Sequence, residues 1–194
     1  MPAAPPFLLA FGDSLIAGYG LAPADGLSAQ LQRGLARRFP GARVHNAGAS
    51  GNTTADALRR LPRVLAEMTV RPDLALVQIG ANDVLRGVPP VQTRANLDAI
   101  VTELARCGIP VLLTTLDPPA LVRARAAPYL GLHGEIAARH GAAISGFFPA
   151  GILGRADMVL PDRVHPNARA IAAVVAHLLP TIEALLAARS ADAA

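Results

Sequence analysis

Short apolar runs alternate with segments of helical pattern along most of this 194-residue chain. The run from Asp73 to Ile79 is almost continuously apolar, which is typical of a strand buried on both faces. Further strands are predicted at 7–11, 42–46, 109–115 and 142–148. Five strands that alternate with helices predict a parallel, doubly wound α/β sheet with right-handed crossovers.

The helices are predicted from apolar spacing and from capping residues. Leucines recur every four residues from Leu27 to Leu35, and Thr53 or Thr54 can cap the next helix. Later helices are predicted at 91–106, 129–140 and 166–188. Pro166 stands at the start of the last one, where proline is favoured.

Composition narrows the class of protein. The chain is long enough for one domain with a sizeable core, and 52% hydrophobic residues with only 4% aromatics suit helices packed on a sheet. The formal net charge of +4 is carried without any lysine. Arginine pairs such as Arg37-Arg38 and Arg59-Arg60 lie on separate predicted helices without interleaved aromatics, so we expect solvated faces and no nucleic-acid partner.

Three features bear on the cellular environment. Cys107 is the only cysteine, so no intramolecular disulfide can form, and it is expected as a small apolar residue at a helix end. The run Phe7–Leu9 is too short for a signal-peptide core. The longest apolar stretch, 170–179, is broken by His177 and falls short of a membrane span. We expect a soluble protein without stable membrane insertion, cytoplasmic as the chain stands and periplasmic or secreted if a leader has been removed.

Residues of chemical interest follow the predicted strands. Ser14 follows the first strand, Gly51 the second and Asn82 the third, and the loop after the fifth strand holds Asp162 and His165. Parallel strands place these turns at one edge of the sheet, where ligands bind in open α/β folds. The topology therefore collects a hydroxyl, a backbone N–H, a carboxamide, a carboxylate and an imidazole.

Ester hydrolysis uses such a set. An imidazole removes the hydroxyl proton, a carboxylate holds the imidazole in the correct tautomer, and N–H donors stabilise the oxyanion. The three-residue offset between Asp162 and His165 brings the carboxylate close to the ring. In the alternative interpretation, Asp13 or Ser14 merely caps a helix. Structural roles are expected for the other histidines, which have no such partner nearby in sequence: His45, His133, His140 and His177.

Four blocks resemble, in order, those of the SGNH hydrolases, also called GDSL esterases. They are Phe11-Gly12-Asp13-Ser14-Leu15, Gly48-Ala49-Ser50-Gly51-Asn52-Thr53, Gly80-Ala81-Asn82-Asp83 and Asp162-Arg163-Val164-His165-Pro166-Asn167. Their order and spacing are most similar to the bacterial thioesterase I, lysophospholipase and arylesterase branch, and the similarity runs from 7 to about 167. It implies a three-layer α/β/α, flavodoxin-like five-stranded parallel sheet with no metal and no organic cofactor. We expect a single domain over 1–194, with its core at about 7–188.

The resemblance also implies residue roles. Ser14 would be the nucleophile, His165 the general base and Asp162 its orienter. The oxyanion hole would comprise the N–H groups of Ser14 and Gly51 and the side chain of Asn82. The residues expected to line the substrate cleft are Asp13, Asp83, Val84, Leu85, Pro119 and Val164. A loop at 84–90 is similar to the family and could move over the acyl group, whereas 116–125 departs from the pattern and leaves the substrate class open.

The predicted function is hydrolysis of a small-molecule ester through an acyl-enzyme intermediate. The expected substrates are short- to medium-chain acyl or aryl esters, with acyl thioesters and lysophospholipids as further members of the class. A carbohydrate O-deacetylase would use the same catalytic set with a different cleft. A non-enzymatic flavodoxin-like module would instead cradle a phosphate on Gly12-Asp13-Ser14 and would have no need for Asp162 and His165.

Overall fold

The computed structural model describes residues 4–115, 118, 122–152 and 154–192. Within this part of the chain, five strands form one sheet in the order β2-β1-β3-β4-β5, and every neighbouring pair is parallel. The strands are β1 Phe7–Gly12, β2 Arg43–Gly48, β3 Leu74–Gln78, β4 Val111–Thr115 and β5 Ala143–Gly146. The predicted α/β class with a parallel five-stranded sheet is confirmed, and the strand order is the flavodoxin-like one.

Helices connect the strands. They are α1 Ser14–Ala17, α2 Leu27–Leu35, α3 Thr54–Ala66, α4 Ala81–Arg86, α5 Pro90–Arg106, α6 Arg123–Ala126, α7 Leu132–His140 and α8 Ala168–Asp192. Short 3₁₀ turns lie at Pro23–Asp25, Ala127–Tyr129 and Ala156–Met158. Thr53 caps α3 as expected, because its hydroxyl accepts from the N–H of Asp56 while the Asp56 carboxylate accepts from the N–H of Thr53.

The sheet separates two apolar cores. Leu9 and Phe11 of β1 face the core formed with α3, α5 and α7, whereas Leu8 and Ala10 face the core formed with α2 and α8. All four side chains are fully buried. Because successive residues of a strand point to opposite faces, a strand covered on both sides is apolar at every position.

Two predicted helix boundaries are wrong. The helix expected at 129–140 is divided, because Gly131 has φ 86°, a left-handed conformation that separates the 3₁₀ turn ending at Tyr129 from α7. The last helix begins at Ala168 instead of Pro166. The Asn167 side chain accepts a hydrogen bond from the N–H of Ala170 at 3.0 Å and so caps α8.

Helix α8 also corrects the prediction that the longest apolar stretch falls short of a membrane span. The helix continues past His177, and its segment Ala168–Arg189 has 22 residues and a mean hydropathy of 1.9, enough by length and composition alone to cross a membrane. In this fold one side of α8 belongs to the core. The buried side chains include Ile171, Val174, Leu178 and Ile182.

Candidate active site

The carboxyl ends of the first three strands meet at one edge of the sheet. Gly12 lies opposite both Gly48 of β2 and Gln78 of β3. A Cβ on Gly12 would lie 1.9 Å from the carbonyl oxygen of Gln78, and a Cβ on Gly48 would lie 2.1 Å from the backbone nitrogen of Ala17. Both positions therefore require glycine, and the absence of side chains there allows α1 to start directly against the strand ends.

Ser14 is the first residue of α1, and Asp13 is its N-cap. The N–H of Leu15 donates to Asp13 Oδ1 at 3.1 Å. The capping role that the sequence left open thus falls to Asp13. The Ser14 hydroxyl is available to another partner, and the Ser14 N–H has no acceptor within α1.

A hydrogen-bonded path joins Ser14, His165 and Asp162. His165 Nε2 lies 3.1 Å from Ser14 Oγ, and His165 Nδ1 lies 2.7 Å from Asp162 Oδ2. With the ring proton on Nδ1, donated to the carboxylate, Nε2 presents its lone pair to the hydroxyl. The arrangement can therefore accept the hydroxyl proton of Ser14.

The turn that carries His165 also fixes the position of the Asp162 carboxylate. Asp162 Oδ1 accepts from the N–H groups of Val164 and His165, each at 3.0 Å. The hydrogen bond from Val164 and those from the ring and backbone of His165 lower the pKa of Asp162 to about 2. The carboxylate is therefore ionised at neutral pH. Arg163, between the two, has φ 58°, so the backbone turns back sharply within this segment.

Two of the residues expected to form the oxyanion hole, Gly51 and Asn82, make hydrogen bonds at the turn after β2. Gly51 has φ 78°, and its carbonyl accepts from Arg86 Nη2 at 2.7 Å. Asn82 Nδ2 donates to the backbone carbonyl of Asn52 at 3.0 Å, which leaves its second hydrogen for another acceptor. Among the described contacts, the N–H of Gly51 has no partner.

Of the residues expected to line the cleft, two are exposed beside this site. Leu85 follows Asn82 by one helical turn and is 50% exposed, and Val164 precedes His165 and is 67% exposed. Pro119 lies outside the described residues.

Three of the other residues expected to line the cleft are buried in the structure. Val84 packs in the core beside α3 and α5. Asp83 is fully buried, where its Oδ2 accepts from the N–H of Thr54 at 2.8 Å and its Oδ1 from the hydroxyl of Thr93 at 3.1 Å. These contacts hold the start of α3. Asp13 is 1% exposed because its side chain caps α1.

The burial of Asp13 has an electrostatic consequence. Its Oδ1 accepts from Leu15, but its Oδ2 has no hydrogen-bond partner within the described part of the chain. Burial therefore raises the pKa of Asp13 to about 7, with a smaller contribution from the negative charge of Asp83. The N–H of Leu15 and the charge of Arg60 act in the opposite direction.

Two residues near the site were missed by the sequence analysis. Tyr19 lies against the ring of His165. It stands between Gly18 and Gly20, and an aromatic residue between two glycines, in a chain with only two tyrosines, is the signal that could have indicated it. Arg60 was expected on a solvated helix face, but it is half-buried and donates to the carbonyl of Gly12 at 2.7 Å.

The other histidines lie elsewhere. His133 is buried with Nε2 2.9 Å from the carbonyl oxygen of Ile79, and His140 Nε2 lies 2.8 Å from Asp98 Oδ1. His45 packs edge-on to Phe7. In the part of the chain that the structure describes, no group of three or more His, Cys, Asp or Glu side chains is placed to hold a metal ion.

Comparison with known proteins identifies the family. The family model of the GDSL-like lipases and acylhydrolases matches residues 10–173. The chain belongs to this family. The sequence-based resemblance to the SGNH hydrolases is thereby confirmed.

Named relatives and a solved structure agree with the family. Esterase TesA of Pseudomonas aeruginosa is 36% identical over 185 residues, which cover 95% of this chain and 91% of that protein. Thioesterase 1/protease 1/lysophospholipase L1 of Escherichia coli K12 is 30% identical over 166 residues, covering 85% and 77%. A crystal structure of TesA matches with a TM-score of 0.85 and 34% identity over 92% of this chain and 99% of that one. The GDSL-family chain is an ester-cleaving serine hydrolase.

Proposed function

We propose that Ser14, His165 and Asp162 form the catalytic triad of this hydrolase. The observation that carries the proposal is the path from Ser14 Oγ through both ring nitrogens of His165 to Asp162 Oδ2. Ser14 Oγ attacks the acyl carbon while Nε2 takes the hydroxyl proton. The ionised Asp162 stabilises the imidazolium that results.

The reaction then proceeds in two halves. The imidazolium returns its proton to the leaving alcohol as the ester bond breaks, and the acyl group stays on Ser14 Oγ. A water molecule next gives its proton to His165 and attacks the acyl carbon. The carboxylic acid leaves as Ser14 regains its proton.

We assign the oxyanion hole to three N–H donors: the backbone groups of Ser14 and Gly51 and the side chain of Asn82. Within the described residues, the N–H groups of Ser14 and Gly51 have no hydrogen-bond partner, and Asn82 Nδ2 has a spare hydrogen, which supports this assignment. Such donors stabilise the tetrahedral intermediate more than the planar ester, and they therefore raise kcat.

The proposed substrates are esters of short- to medium-chain acids or aryl esters, with acyl thioesters as a second substrate class. Three exposed apolar side chains adjoin the site and suit an apolar group: Tyr19, Leu85 and Val164. The proposal of thioester substrates rests on the name of the E. coli relative, a thioesterase and lysophospholipase.

The test of the triad is Ser14→Ala. A nitrophenyl alkylphosphonate should label the wild-type protein at Ser14 alone, and the folded variant should resist labelling. We expect kcat on a nitrophenyl ester to fall by about 10³ to 10⁶. If a folded Ser14→Ala protein kept more than about a tenth of wild-type kcat, Ser14 would not be the nucleophile.

The test of the substrate class is a panel of nitrophenyl esters of increasing chain length, acyl thioesters, lysophospholipids and acetylated sugars. We expect the highest kcat/KM on short or medium esters. A preference for acetylated sugars would establish the deacetylase alternative instead.

A further inference from the structure

We propose that Arg60 is a positioning residue that holds the oxyanion-hole loop, residues 49–52, in its catalytic geometry. The inference rests on the proposed function, because it assumes that Gly51 and Asn82 stabilise the oxyanion. It adds a residue that lies on α3 and touches none of the reacting atoms.

The guanidinium of Arg60 bridges two structural elements. Its Nη2 donates to the carbonyl of Gly12 at 2.7 Å, and its Nε donates to Asn52 Oδ1 at 2.7 Å. The guanidinium carbon lies 4.3 Å from the ring centroid of Phe11. Because the donors of arginine form a rigid planar fork, these bonds fix the distance between the end of β1 and Asn52.

Asn52 connects the guanidinium of Arg60 to two of the proposed oxyanion donors, Gly51 and Asn82. Its carbonyl accepts from Asn82 Nδ2 at 3.0 Å, and its N–H donates to the carbonyl of Ala49 at 3.2 Å. Gly51 immediately precedes it. A displacement of Asn52 would therefore move the Asn82 side chain and the Gly51 peptide together.

The loop is also held from the strand side. The N–H of Ala49 donates to the carbonyl of Gly12 at 3.0 Å, the same oxygen that accepts from Arg60. Gly12 lies two residues before Ser14. The nucleophile, the Gly51 loop and the Asn82 side chain are thus linked through one carbonyl oxygen and one guanidinium.

The burial of Arg60 supports a specific role. Half-burial of a guanidinium costs desolvation energy, and a buried charge is usually paired with an opposite one. In the described structure Arg60 instead donates hydrogen bonds to two neutral oxygens. The nearby Asp13 carboxyl interacts with the guanidinium through its charge and makes no hydrogen bond to it among the described residues. The adjacent Arg59 points outward and pairs with Asp56 at 2.8 Å, so it is a matched control on the same helix.

A purely structural role would affect stability and leave the transition state alone. A positioning role affects kcat, because oxyanion donors act mainly on the tetrahedral state. A misplacement of about 1 Å can cost about 10²-fold in rate. Affinity for an alkylboronic acid, which forms a tetrahedral adduct with a catalytic serine, separates the two roles.

The experiment compares Arg60→Lys, Arg60→Gln, Asn52→Ala and the Arg60→Gln/Asn52→Ala double variant with Arg59→Gln. We expect the Arg60 and Asn52 variants to lose about 10- to 100-fold in kcat, with KM within about threefold, and boronate affinity to weaken by a similar factor. The double variant should be no more than about twofold worse than the poorer single variant, since both changes break one contact. Arg59→Gln should match the wild type. If Arg60→Gln does not fold, Arg60→Lys and Asn52→Ala carry the test.

Wild-type kcat in folded Arg60→Lys and Asn52→Ala would overturn the inference, as would unchanged boronate affinity or losses that multiply in the double variant. Asn82→Ala separates a failure of the role of Arg60 from a failure of the proposed oxyanion hole. If Asn82→Ala lowers kcat and the Arg60 variants do not, the inference about Arg60 alone fails. If Asn82→Ala also leaves kcat unchanged, the proposed oxyanion hole fails with it.

Discussion

The ring of Tyr19 lies against the imidazole of His165, with 4.4 Å between the ring centroids and 37° between the ring planes. The imidazole gains a positive charge during the proposed reaction, and the face of an aromatic ring attracts a cation. Because Tyr19 is 51% exposed, this attraction is expected to contribute about 0.5–1 kcal/mol.

Tyr19→Ala should therefore lower kcat/KM on a nitrophenyl ester by about two- to fivefold, and Tyr19→Phe should keep the wild-type value. Steady-state kinetics at one pH checks both. An equal loss in the phenylalanine variant would assign the effect to the hydroxyl group instead of the ring face.

Asn82→Ala should lower kcat by about 10² to 10³ with little change in KM, because the lost donor acts on the developing oxyanion. Kinetics and a thermal melt of the same preparation test this. A lowered Tm with unchanged kcat would mean that Asn82 only closes the turn after β3.

The pH profile should show one rising limb. General-base catalysis requires a neutral imidazole, so kcat/KM should rise with pH and then level off toward alkaline pH. The pKa of Asp162 is lowered from 3.8 to about 2. The negative charge that supports His165 is therefore fully present above pH 3.8 and is lost only as the pH falls through about 2. Asp162 therefore does not contribute to this limb.

Asp162→Asn should give a folded enzyme with kcat lower by about 10² to 10⁴, because an amide can support the wrong tautomer and cannot offset the imidazolium charge. As a control, the wild-type profile should be the same after dialysis against a chelator. Activity that only a divalent ion restores would identify a metal hydrolase and contradict the serine mechanism.

Stability should depend on pH through Asp13. Burial raises the pKa of Asp13 from 3.8 to about 7, so the folded protein retains a proton that the unfolded chain releases. The contribution of this proton to the free energy of unfolding is fully present below pH 3.8 and is lost as the pH rises through about 7. The free energy of unfolding of the wild type should therefore fall by up to about 4 kcal/mol across this interval.

Asp13→Asn should lack this fall, since its amide oxygen still accepts from Leu15 and does not ionise. Urea unfolding of both proteins at several pH values between about 4 and about 8 measures the difference. Parallel curves for the two proteins would show that Asp13 is ionised in the folded state throughout.

The sheet and the meeting of the strand ends were predictable from the sequence because each rests on a local pattern. Apolar runs specify strands, and parallel topology then brings Ser14 and Asn82 to one edge. The contact between Asp162 and His165 follows from their short separation. The link from Ser14 to His165 spans 151 residues and was suggested only by topology and family resemblance.

The remaining features depend on orientation, which sequence patterns specify poorly. Arg59 and Arg60 are neighbours, yet successive residues of a helix point about 100° apart, and only the second reaches Gly12. Asp13 and Asp83 are acidic residues that follow strands β1 and β3 closely, and exposure is the usual expectation for aspartate. Both are buried because the helix starts beside them need acceptors for free N–H groups.

The turn from Val159 to Pro166, closed by a bridge between those two residues, carries Asp162 and His165 and leads directly into α8. The acid–base pair thus lies in the last fifth of the chain, whereas the serine and the proposed N–H donors all precede α5. A backbone break at the exposed Gly151 would divide the enzyme into one fragment with the nucleophile and another with the base. Hydrolysis by such a pair would depend on the reassociation of α8 with the sheet, so activity would report directly on fragment complementation.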